Sequence, residues 1–110
     1  RRVLFRSLAD TKVWQSVHVT VAYDSDVSQV MDLLLQACAE QERVLTVPAP
    51  TVALSAFGTD GLEFTVGYWI HEEEGSLLNV KSLLLIGVLQ RLRLHGIVIP
   101  YPQRVVRMMN

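Results

Sequence analysis

The side chains able to do chemistry are few and far apart. There are three histidines, His18, His71 and His95, with no i, i+4 pair among them, and a single cysteine, Cys38. A metal centre needs several such ligands converging, so the three read as ordinary surface histidines, and no metal or cofactor is expected. His95 falls near a helix C-terminus, where the dipole favours a cation, and that is reason enough for it. Cys38 lies on an apolar stripe and reads as a small core residue. Asp24 and Asp26 are the nearest thing to a carboxylate pair, which could share proton transfer or hold calcium. They also suit a helix start: Asp24, Ser25 and Asp26 make a cap and turn, with Gln29 three residues past Asp26. Capping accounts for both acids without a ligand. Glu72, Glu73 and Glu74 read as a solvated loop. Gly58 and Gly61 make no phosphate loop, because no helix follows them. With no nucleophile–base pair in view, no enzyme is expected.

The elements around these residues follow from hydrophobic period. Residues 1–15 give no clean alternation and are expected to be a leader with little structure. From Ser16, Val17, Val19, Val21 and Tyr23 alternate with His18, Thr20 and Ala22, which predicts a half-buried strand. A helix is predicted from Val27 to Gln41, with Val27, Val30, Met31, Leu34 and Cys38 on one stripe. Pro48 and Pro50 break the connection that follows. A strand from Thr51 to Phe57, a turn at Gly58-Thr59-Asp60-Gly61 and a strand from Leu62 to Ile70 make a hairpin. A second helix is predicted from Leu77 to His95, with Leu77, Leu78, Leu84, Leu85, Val88, Leu89 and Leu92 as its main stripe. Leu83, Ile86 and Leu94 fall outside that stripe, and a helix apolar on more than one side usually has more than one neighbour. Strand–helix–strand–strand–helix–strand is the ferredoxin-like βαββαβ order. It is an α+β fold, an antiparallel sheet with two helices on one face.

Composition sets the limits. The chain has 110 residues, half of them hydrophobic, enough for one core and too apolar for disorder. A formal net charge of −1 argues against a nucleic-acid partner. The longest apolar run, Leu83 to Leu89, falls far short of the roughly 20 residues of a membrane helix. The chain begins with Arg1 and reads as a piece of something longer. Its parts divide as the leader 1–15, the ferredoxin-like domain 16–99, and a terminal arm and strand 100–110.

The arm is the best functional lead. Gly96 can supply the left-handed residue that ends a helix. Pro100 and Pro102 then forbid helix and remove two N–H donors. Residues 104–109 are strand-like, so a stiff spacer carries a terminal strand away from the domain.

These motifs resemble a known family. Val21-Ala22-Tyr23-Asp24-Ser25-Asp26 before an amphipathic helix, then Val44-Leu45 and Pro48-Ala49-Pro50, then Ile97-Val98-Ile99-Pro100-Tyr101-Pro102-Gln103, are similar to the C-terminal soluble domain of bacterial small-conductance mechanosensitive channels. The likeness covers about Val17 to Val106, with the motifs in the family's order and spacing. It implies a homoheptameric channel of the bacterial inner membrane that releases ions and small solutes on hypo-osmotic shock. In such a channel these domains form a hollow cytoplasmic cage below the pore, and the final strands of seven chains close it as a parallel barrel. Pro100, Tyr101, Pro102, Gln103, Val105, Val106 and Met108 would then be assembly residues. The chain's partner would be further copies of itself, and its only tie to a membrane would be pore helices upstream of the present segment. Leu83, Ile86 and Gly87 depart from the family pattern, which commonly has charge there. Two other functions fit the same fold: a regulatory small-molecule-binding domain, and an acylphosphatase-like hydrolase. The hydrolase would need a phosphate-cradling loop with an arginine where this chain has the acidic turn.

Overall fold

A computed structural model describes residues 11–72 and 76–101. In chain order these form β1 (Lys12–Val21), α1 (Val27–Glu40), β2 (Thr51–Phe57), β3 (Leu62–His71) and α2 (Ser76–Leu94). The strands make one antiparallel sheet in the order β1-β3-β2. The fold is α+β, three strands and two helices, in the ferredoxin-like arrangement. In that arrangement a fourth strand would lie beside β1; the terminal strand expected over 104–109, carried away from the domain, is outside the described residues.

The core is one layer between the sheet and both helices. Alternate residues of β3, Leu62, Phe64, Val66, Tyr68 and Ile70, are all buried, as are Val17, Val19 and Val21 of β1. Against them α1 sets Val30, Leu33, Leu34, Ala37 and Cys38, and α2 sets Val80, Leu84, Val88 and Leu92. Burying each large side chain contributes about 1.5–3 kcal/mol, so β3, buried along its whole length, is the spine of the domain. The helices are also tied to each other by Arg91 of α2, which forms an ion pair with Glu40 and donates to Gln36 Oε1 at 3.1 Å.

Helix ends follow the expected chemistry. Asp26 is the N-cap of α1, its Oδ1 accepting from the Gln29 N–H at 3.2 Å. At the other end of the chain Gly96 has φ +70°, a conformation a Cβ would penalise. There the Ile97 N–H donates to the Leu92 carbonyl at 2.8 Å and the Gly96 N–H to the Arg93 carbonyl at 3.1 Å. That is the Schellman pattern, which satisfies two of the last helical carbonyls.

Several expectations need correction. β1 begins at Lys12, four residues before Ser16, because Lys12 to Gln15 pair with His71 to Tyr68 of β3. Trp14 on the outer face and Gln15 on the inner face hide the alternation there, but ladder hydrogen bonds do not depend on it. Tyr23 lies past the strand's end; it is half-exposed, and its hydroxyl donates to the Gly58 carbonyl. In α1, Leu33 and Ala37 belong to the buried stripe as well. In α2 the buried line is Val80, Leu84, Val88, Leu92, whereas Leu78 is 75% exposed and Leu85 38%. The leucines are so dense in α2 that two stripes fit the period, and only packing separates them.

Candidate functional site

The residues capable of chemistry do not meet. His18 is exposed on the outer face of the sheet, with Nδ1 3.2 Å from Thr65 Oγ1. Thr65 Oγ1 in turn donates to Ser55 Oγ at 3.0 Å, and Ser55 Oγ to the Glu63 carbonyl at 3.0 Å. This polar row crosses three strands and ends on backbone, so it knits the sheet's outer face. His71 is not a simple surface histidine: it is half-buried, with Nδ1 out of solvent and without a hydrogen-bond partner among the described residues. His95 is exposed just past α2. Cys38 is buried on α1, and burial pushes its thiol up to about 11. Tyr68 is held above its usual range by burial first and by Cys38 second. A thiol protonated throughout the neutral range is a poor nucleophile. Among the described residues no group of three or more His, Cys, Asp and Glu could hold a metal ion. Asp24 is exposed and stands in the turn before α1, where the Ser25 N–H donates to the Ala22 carbonyl at 3.1 Å.

What the structure does assemble is a surface around the open edge of β1. Among the described residues β1 is an edge strand, with β3 on one side only. Past its end the Ala22 N–H donates to the Val98 carbonyl at 2.9 Å, so the chain after Gly96 first returns to the sheet. Ile97 packs against the core, and Pro100 comes to lie against Gly61, its Cγ 3.2 Å from where a Cβ on that glycine would sit. The arm therefore does not leave at Gly96; residues 97–100 run against the end of the sheet, and Tyr101 beyond them is 84% exposed. Pro102, Gln103, Val105, Val106 and Met108 lie outside the described residues.

Beside the arm runs an apolar trough of about 190 Å³, lined by Val19 and Thr20 of β1, by Leu85, Val88 and Leu89 of α2, and by Ile99. A second groove of about 310 Å³ continues it along α2 past Leu78 and Ile86. The second apolar side of α2 thus borders the place where a fourth strand would lie. The sequence signal for it was the surplus of leucines; the Ala22–Val98 bond and the Arg91 tie had no signal in the sequence. Among the described residues no helix is long and apolar enough to cross a membrane.

The comparisons with known proteins agree with this geometry. Residues 16–99 match the family described as mechanosensitive ion channel MscS, C-terminal. The chain is 31% identical over 92 residues to an uncharacterised MscS-family protein of Synechocystis, covering 84% of this chain and 30% of that one. It is 35% identical over 71 residues to the mechanosensitive channel MscK of Escherichia coli, covering 64% of this chain and 6% of that one. It therefore spans less than a third of the length of either relative. Its structure aligns with Helicobacter pylori MscS in the closed state at TM-score 0.79 and 23% identity, over 90% of this chain and 39% of that one. With wild-type MSL1 of Arabidopsis thaliana the TM-score is 0.63 at 18% identity, over 84% and 34%. At these identities the two solved structures bear on the fold.

Proposed function

This chain belongs to the MscS C-terminal domain family, and from that premise we propose that it is the soluble cage domain of a mechanosensitive channel. Its work is assembly: it holds copies of the protein together and carries out no reaction of its own. The observation that carries this reading is the arm, which stays hydrogen-bonded to the sheet at Val98 and then presents an exposed Tyr101. In this reading Pro100, Tyr101, Pro102, Gln103, Val105, Val106 and Met108 form the assembly element, and its partner is the same segment of other copies, seven in all. A lone terminal strand exposes unpaired N–H and C=O groups, and a closed barrel removes those edges. The pore lies in a preceding membrane portion, with this domain on the cytoplasmic side of the inner membrane, and the whole protein releases ions and small solutes on hypo-osmotic shock.

The test is physiological. The full-length protein, expressed in bacteria stripped of their own mechanosensitive channels, is expected to restore survival of a sudden drop in osmolarity and to give tension-gated currents in membrane patches. Absence of both from a protein that reaches the membrane would sink the channel reading.

A further inference from the structure

The arm is hydrogen-bonded to its own sheet at Val98 and lies against Gly61 at Pro100, next to an apolar trough and a strand edge that has no partner among the described residues. Backbone parity decides whether the arm can continue along that edge. In an antiparallel ladder the N–H and C=O of one residue face the same neighbour, and those of the next face the other way. The Val98 carbonyl faces β1, where it accepts from Ala22. Every second residue after it would face β1 as well, so a strand continued from this contact would set residue 100 opposite Thr20 and residue 102 opposite His18. Both are proline, which has no N–H to give. Its ring would stand where the donor hydrogen belongs, and proline is tolerated in a strand only with its nitrogen turned to solvent. At the first of these positions the Pro100 ring lies against Gly61, at the end of the sheet.

We infer that Pro100 and Pro102 are register blocks, placed at the parity that bars the tail from the fourth-strand position of its own sheet. The rest of the site is ready to accept a strand. Ile99, of opposite parity, faces the trough beside Leu85, Val88 and Leu89, as a fourth-strand residue would. The even-numbered amides of β1 point outward, and those of Ser16, His18 and Thr20 have no backbone partner among the described residues. A stiff spacer would need prolines at any two nearby positions; a register block needs them at even ones. The block stands on this chain's own backbone and does not depend on what the released tail then joins.

Amide hydrogen exchange of the 110-residue chain, followed by NMR in dilute solution, tests it. In the unaltered chain His18 and Thr20 are expected to exchange fast while Val17 and Val19, bonded to β3, are protected. In Pro100→Val/Pro102→Val the tail is expected to zip onto β1 and slow His18 and Thr20 by about tenfold or more. The second variant exchanges each proline with the residue before it: Ile99→Pro, Pro100→Ile, Tyr101→Pro and Pro102→Tyr. It keeps composition and stiffness but turns both proline nitrogens away from β1, and it is expected to slow the same two amides. Val17 and Val19 report whether either variant has kept its fold, and the folded one decides. Protection of His18 and Thr20 in the unaltered chain would overturn the proposal. So would fast exchange in a folded double variant, or slowing in the valine variant alone, which would make stiffness and not parity the cause.

Discussion

The two edges of the sheet are built differently. β2 is short, seven residues, with a register shift between Leu54 and Ala56 and with Pro48 and Pro50 just before it. Short length, a bulge and nearby prolines are the usual means of blunting an edge. β1 is ten residues long, in unbroken register with β3, and carries no proline. Among the described residues its outer edge has no strand beside it, and the inferred register blocks sit on the segment that follows α2. The difference teaches that an edge can be closed to strangers by its own irregularity, or closed to one particular strand by that strand's parity. The same asymmetry divides α2. Val80, Leu84, Val88 and Leu92 face a closed core, whereas Leu78, Leu85 and Ile86 face the open side.

The largest effect that can sharpen this contrast lies on α2. Leu84→Ala is expected to cost about 2–5 kcal/mol, the range for emptying a buried leucine site. Leu78→Ser, two turns away on the open side, is expected to stay within about 0.5 kcal/mol in the isolated chain. Urea unfolding of both variants checks the pair, and equal losses would erase the distinction between the two sides. Next in size is the closed end of α1. Asp26→Ala should cost roughly 0.5–2 kcal/mol by removing the bond to the Gln29 N–H. Calcium should leave the melting temperature of the unaltered chain unchanged; a rise that vanishes in the variant would make the acidic turn a ligand site. Smaller still is Arg91→Ala, which removes a partly exposed tie between the helices and should cost about 0.5–1 kcal/mol.

The smallest effect at neutral pH comes from Cys38. Its thiol is raised in the folded state from 9.0 to about 11. Below pH 9 both states hold the proton and the group contributes no slope. Between about pH 9 and 11 the unfolded chain loses a proton that the folded one keeps, so stability should fall as pH rises. Cys38→Ala should flatten that part of the curve. An unaltered slope would mean that the thiol titrates freely and that this part of the core is open.

Much of this was readable from the residues. The strict alternation from Leu62 to Ile70 gave the central strand, and Asp26 with Gln29 gave the helix start, because both signals are local. The start of β1 is not legible in the sequence because Trp14 and Gln15 break the alternation, while the pairing that defines the strand comes from residues about 50 positions away. The buried stripe of α2 is narrower than the sequence pattern, because leucine alone does not say which of two faces has a neighbour. The open edge of β1 had no local sign at all. It emerges only when the Ala22–Val98 bond fixes which side of the arm faces the sheet, and at that point two prolines that looked like a spacer acquire a parity.

The central claim is that the tail serves assembly and not the domain's own core. Deleting residues 104–110 from the full-length protein tests it most directly. Oligomer stability in detergent should fall, because the pairing of tails at high local concentration is lost. The melting curve of the domain itself should change little, since its buried residues all lie before the arm among the described residues. If the domain instead unfolds while the oligomer persists, the tail belongs to its own sheet and the account is wrong.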